Sequence, residues 1–250
     1  MDEYDAELSL DVGVEIDQAW NLGAWNSVSY KTGKHKDLAP LVLSVCFKLH
    51  QARYHLQRVL HYDAKVQELV FDPGKDFERS RYSVTTKYEF DSMIYALNSA
   101  KDILAKVIYS VYDLKIKKDD KIYFSKLEGC FQEIEKGDLD FAKHLKDFDC
   151  SEEGRYVTDY CNEVKHRDAL ISDSVIELDF EKGVYNAGVE IPDFIVEVGG
   201  KSKESRFYKK RWISDAIGLE EAHRKAICEA GRLMLKHQGY KPVPGFFVEK

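Results

Sequence analysis

Two apolar stripes of about 30 residues each, both at helical spacing, constrain this chain more than anything else in it. Val42, Val45, Leu49, Ala52, Leu56 and Val59 recur three and four apart, with Lys48, Arg53, Gln57 and Arg58 off the stripe. The spacing predicts a helix from about Leu38 to about Leu69, stopped near Asp72-Pro73-Gly74. After a polar linker over Phe77 to Thr85, Phe90, Ile94, Leu97, Leu104, Ile108 and Val111 define a second helix from about Thr86 to Leu114. Its Ala96, Ser99, Ala100 and Ala105 are small enough to admit a neighbouring helix closely. Two such helices predict a mainly α chain, an elongated antiparallel helical bundle.

Shorter elements complete the bundle. Lys115 to Lys121 reads as a solvated turn, and helices follow over Phe124 to Lys136 and Leu139 to Phe148, parted by Gly137-Asp138. Beyond Ser172 the period changes: Ile176, Leu178 and Phe180 alternate with acids as a half-buried strand, Lys182-Gly183 turns the chain, and Val184 starts a partner strand. Phe194 to Val198 is a further extended run. Together they form a small antiparallel β insertion before a last helix over Leu219 to His237, with Ala222, Ala226, Ala230, Leu233 and Leu235 toward the core and Gly239 at its end. The segment holding Trp20, Trp25 and Tyr30 reads as irregular and anchored by its aromatics. The resulting organisation is 1–36, an acidic leader and anchored segment; 37–173, the bundle; 174–214, the β insertion with a basic loop; and 215–250, the last helix and tail.

Composition narrows the function classes. With 44% hydrophobic and 32% charged residues the chain has no apolar run near the roughly 20 residues of a membrane span. Its start is acidic where a secretory signal is basic, so a cytoplasmic protein is expected. The net charge of −7 resides in Asp2, Glu3, Asp5, Glu7, Asp11, Glu15 and Asp17, and beyond residue 17 acids and bases balance at 37 each. That leader reads first as a solvated tail; the alternative is a segment laid against basic residues elsewhere in the chain or in a partner subunit. Five scattered cysteines without a CxxC pair indicate reduced, mostly buried thiols rather than a disulfide framework or a zinc site. His50 and His61 share a helix face but stand three turns apart, too far to share a metal. No metal or other cofactor is expected.

Two stretches carry chemistry. In the first, Arg155, Asp159, Asn162 and His166 recur on one face of a predicted helix whose inward side holds Val157, Tyr160, Cys161 and Val164. Asn162 and His166 are one turn apart, whereas Arg155 lies about 16 Å from His166 along the axis at 1.5 Å per residue. The bland reading is a helix end: Lys165, His166 and Arg167 complement the C-terminal carbonyls, and Asn162 is a bonded polar residue. In the second, Lys201, Lys203, Arg206, Lys209, Lys210 and Arg211 interleave with Phe207, Tyr208 and Trp212. Cations neutralise phosphates and aromatic faces stack on unpaired bases, which suits single-stranded nucleic acid. A solvated loop anchored by its aromatics fits the same residues.

The phrase YALNSAKDILAKVIYSVYDL on the second long helix and TDYCNEVKHRDALI after the shorter ones resemble the HEPN superfamily, over roughly residues 38 to 170 and the final helix. In catalytic members, the resemblance implies, an Arg followed by four to six residues and a His forms a metal-independent endoribonuclease site across a homodimer interface, with a polar residue usually next to the Arg. His166 takes the place of that histidine and Asn162 of the polar residue, but Cys161 stands where the arginine belongs. A thiol cannot balance phosphate charge in the transition state. Lys165 and Arg167 point roughly 100° to either side of His166 on a helix. The expectation is a non-catalytic HEPN-like protein, homodimeric, binding RNA or a protein partner in a bacterial or phage stress or defence setting. Lys165, Arg167, Lys209, Lys210 and Arg211 are its candidate phosphate contacts. The alternative is an endoribonuclease with His166 as acid/base and Asn162 orienting it.

Overall fold

A computed structural model describes residues 13–33, 35–114, 122–166, 173–179, 184–198, 204–209, 211–243 and 246–249. The chain is mainly α-helical, with a small β insertion before the last helix. Helix α1 is described over 13–19, and α2 spans Leu22–Lys31. The two long helices are α3, His35–Leu69, and α4, Asp76–Tyr112. Then come a 3-10 turn, Phe124–Cys130, and helices α5, Phe131–Gly137, α6, Leu139–Cys150, and α7, Glu152–His166. Strands β1 (Asp173–Asp179), β2 (Val184–Ile191), β3 (Phe194–Val198), β4 (Glu204–Tyr208) and β5 (Arg211–Trp212) precede α8, Ala216–His237. A closing hairpin pairs β6, Tyr240–Val243, with β7, Phe246–Glu249.

The fold divides into two compact units, neither of them a continuous stretch of chain: one comprises Met1–Gln51, Ala96–Gly154 and Ala222–Lys250, the other Ala52–Tyr95 and Arg155–Glu221. The first has an apolar core in which the start of the α3 stripe (Val42, Val45, Leu49) joins the end of the α4 stripe (Leu104, Ile108, Val111). Phe141 and Leu145 of α6 and Ile227, Met234 and Leu235 of α8 belong to the same core. Trp20 and Trp25 lie within it, stacked at 5.5 Å between ring centroids. A β-carbon on Gly231 would stand 3.0 Å from the Ala19 carbonyl oxygen and 3.1 Å from the Trp20 ring, so glycine is what lets α8 approach the end of α1.

In the second unit the C-terminal half of α3 lies beside the N-terminal half of α4. Glu89 accepts from Arg58 Nε at 2.6 Å and is bonded to His55 Nδ1 at 2.7 Å, while Tyr62 stacks on Tyr82 at 6.1 Å. Strands β1, β2 and β5 form an antiparallel sheet in that order, and β3 and β4 a separate hairpin with Ile195 opposite Phe207. The sheet is tied to α3 by Asp63, which accepts from the Val189 backbone N–H and from Gln67 Nε2, both at 2.8 Å. Burial, opposed by those two bonds, holds the Asp63 carboxyl above its usual range.

Three segments differ from the sequence expectation. The polar stretch 77–85 is not a linker but the first turns of α4. Asp72 caps the turn at Pro73, Asp76 and Glu78 sit where the helix dipole favours anions, and Arg79 donates to the Val70 carbonyl that ends α3. Ser83 and Thr86 are buried there because each hydroxyl donates to the carbonyl four residues back, at 3.1 and 2.8 Å. The aromatic segment near Trp20 is helical rather than irregular: Asn21 caps α2 by accepting from Ala24 N–H at 3.0 Å, and buried Ser29 donates to the Trp25 carbonyl. Tyr30 is exposed there rather than buried in the core. The basic loop, finally, contains β4 and β5.

The five cysteines are free thiols, but only Cys161 and Cys228 are buried. Of the acidic leader, 1–12 lie outside the described residues. Glu15 pairs with Arg224 and Arg232 of α8, so this acid lies against basic residues of its own chain. Among the described residues no helix is long and apolar enough to cross a membrane.

Candidate functional site

Helix α7 supplies the row that the sequence singles out, and its surroundings decide what the row can do. Tyr156, Val157, Tyr160 and Cys161 are at most 1% exposed, so this face is core. Against it packs the β3–β4 hairpin: Phe194 and Tyr208 stack at 4.8 Å, and Tyr208 meets Tyr156 edge-on at 5.3 Å. The geometry follows from strand alternation, which turns Phe194 and Val196 inward and leaves Ile195 and Glu197 outward.

Two carboxylates are fixed by this packing. Asp159, 6% exposed, accepts from the Tyr208 hydroxyl at 2.6 Å and from Arg206 Nη1 at 3.0 Å. On α4, Asp91 accepts from the Tyr160 hydroxyl at 2.7 Å and from Lys87 Nζ at 2.6 Å. Burial first, and then the adjacent carboxylates, push both tyrosine hydroxyls well above their usual range. They act as neutral donors, and neither supplies a base at physiological pH. Lys87 and Asp91 are an i,i+4 pair on α4, and Tyr160 joins Asp91 from 69 residues along the chain.

The expected row therefore does not act as a unit. Asp159 is committed to β4, Asn162 is exposed, and Arg155 is half-buried near the start of the helix. Cys161 is 1% exposed and its Sγ lies 3.8 Å from the Ile94 carbonyl oxygen. Lys165 and His166 close α7 as backbone, and Arg167 lies outside the described residues.

The basic cluster is likewise partly internal. Arg206 is bonded to Asp159, and the Arg211 guanidinium stands 4.7 Å from the centroid of the Tyr156 ring. Lys209 and Phe207 are exposed, whereas 199–203 and 210 lie outside the described residues. Arg211 spends its planar cation on a ring inside the unit, which leaves Lys209 as the exposed candidate phosphate contact among those described.

No family model, no characterised protein and no solved structure matches the chain. One group among the described residues, in the first unit, could hold a metal ion: Asp17, Cys46 and His50, whose donor atoms all lie within 4.8 Å of one another. Sequence reasoning missed it because Asp17 is 29 and 33 residues from its two companions. The available signal was Cys46 and His50 at i,i+4 on one helix face.

Proposed function

We propose that this chain is a non-catalytic, HEPN-like helical protein that pairs with a second copy of itself through the outer face of the β3–β4 hairpin. The observation that carries the reading is the inward turn of Cys161: the position from which an arginine would have to reach a phosphate faces the Ile94 carbonyl. A site lacking that cation loses on the order of 100-fold or more in rate. The choice of a protein over RNA rests on Ile195 and Phe207, which face one another across the two strands and are 53% and 56% exposed. Glu197 shares their outward face, and an acid there repels phosphate. An exposed cross-strand apolar pair flanked by one acid and one lysine suits the centre of a protein contact better than a phosphate-tracking groove.

Two measurements test this. Assorted RNAs incubated in EDTA with the parent and with His166→Ala are expected to stay intact in both; cleavage by the parent alone overturns the non-catalytic reading and establishes the nuclease alternative. Sedimentation at micromolar concentration is expected to show a dimer that Phe207→Ser weakens at least about tenfold. A monomeric parent, or RNA affinity that falls steeply with salt, overturns the protein-contact reading.

A further inference from the structure

The trio Asp17, Cys46 and His50 combines a carboxylate, a thiol and an imidazole, the donor types that zinc-like ions accept together. Its arrangement has measurable features that a chance encounter need not have. His50 Nε2 is 3.3 Å from Asp17 Oδ1, and Cys46 Sγ is 3.7 Å from the same oxygen. Metal bonds of about 2.0 Å to N or O and about 2.3 Å to S, set at tetrahedral angles, give N···O edges of about 3.3 Å and S···O edges of about 3.5 Å. Both edges to Asp17 thus already stand at about the separations an ion would impose, and the third edge, from Cys46 to His50, is within 4.8 Å.

The supporting elements are firm. Cys46 and His50 project from successive turns in the first half of α3, each directly after a buried residue, Val45 and Leu49. Asp17 follows Ile16, which is fully buried, and Glu15, which is paired with Arg224 and Arg232. Gly13, one turn before Asp17, has its β-carbon position 3.9 Å from His50 Cε1, so the ring rests against the bare backbone of α1. Access is open as well: the side chains of His50 and Asp17 are 42% and 68% exposed. In the metal-free chain the thiol is held neutral, pushed up to about 11 by burial and by Asp17.

We infer that Asp17, Cys46 and His50 form a binding site for one zinc-like divalent ion, with three protein ligands drawn from α1 and α3. On binding, the Cys46 thiol releases its proton to solvent and ligates as thiolate, while His50 ligates through Nε2 as neutral imidazole. The ion clips α1 to α3, and a fourth position is filled by water or an added anion, as in zinc sites with three protein ligands. This inference is independent of the reading of α7 and the hairpin.

Cobalt(II) reports on it directly, because a thiolate ligand produces a near-ultraviolet charge-transfer band and tetrahedral geometry produces strong visible bands. Titration of the full chain with Co²⁺ is expected to raise both, saturating at one ion per chain, and Zn²⁺ should abolish them by displacement. Cys46→Ser, which leaves size and helix intact, should remove the thiolate band. Asp17→Asn and His50→Gln should each weaken binding by at least about tenfold, with circular dichroism unchanged. A parent that gives no thiolate band, or a Cys46→Ser protein that keeps it through another of the free cysteines, overturns the site. So does a band whose affinity is unaffected by both Asp17→Asn and His50→Gln.

Discussion

Cys161→Arg introduces the residue that the proposed HEPN likeness would call for at this position, and the structure gives a definite expectation for it. The native side chain is 1% exposed, with its Sγ toward the α4 backbone at Ile94. Arginine adds several heavy atoms to a packed interior, an overpacking cost of about 1–3 kcal/mol. It also strands a guanidinium there, at several kcal/mol after relaxation. The total, about 5 kcal/mol or more, is comparable to the whole net stability of an ordinary domain. Cys161→Ala is the control: it removes one buried sulfur, a loss of about 1 kcal/mol, and should lower the melting midpoint by about 2–4 °C for a chain of this size. Urea unfolding followed by far-ultraviolet circular dichroism and by tryptophan fluorescence separates the cases, since Trp212 lies in the same unit as Cys161. The arginine variant should be insoluble or unfold at far lower urea, without acquiring nuclease activity. An arginine variant that matches the parent midpoint would refute the inward placement of residue 161, and one that also cleaved RNA would refute the non-catalytic reading with it.

Two further outcomes follow from burial and close approach. Glu220 is 1% exposed with Arg53 Nη1 at 3.7 Å; burial, offset by Arg53 and reinforced by Glu221, pushes its carboxyl up to about 7 from 4.5. Because the folded value exceeds the unfolded one, the stability contributed is complete below about pH 4.5 and is lost as pH rises through about 7. Over that window the parent should lose up to about 3 kcal/mol relative to Glu220→Gln, and parallel stability curves for the two would exclude the effect. Gly154→Ala places a β-carbon 2.2 Å from the Phe148 carbonyl oxygen and 2.9 Å from Ser151 Oγ. Thermal unfolding should reveal a loss of at least about 2 kcal/mol, whereas a loss below about 0.5 kcal/mol would mean that this turn relaxes freely.

The long helices were legible because their apolar stripes repeat over many turns, and the period change after Ser172 placed the β insertion. What misled was polarity. Ser83 and Ser29 read as linker or irregular chain, yet their hydroxyls are satisfied by their own helices, and a satisfied hydroxyl can be buried. In the candidate row, helical spacing correctly placed Asp159 on a face but could not disclose that Tyr208 and Arg206 would claim it from 49 and 47 residues away. Arg206 and Arg211 read as free cations because a run of basic residues carries no record of which side of a strand each one takes. Asp17 gave no local signal at all, as its companions belong to another helix.

The interleaving of the two units governs how the chain can be made. The first unit draws on Met1–Gln51, Ala96–Gly154 and Ala222–Lys250, so its core lacks Ile227, Met234 and Leu235 until the last helix has left the ribosome. Until then, Val42, Val45 and Leu49 wait without their full complement of apolar neighbours while most of the sequence is still being synthesised. Both units are closed by contacts between remote segments, whose loop-closure entropy must be met before packing compensates it. Folding of the first unit therefore waits on α8, and a nascent chain stalled within the β insertion lacks part of the cover over Val42, Val45 and Leu49.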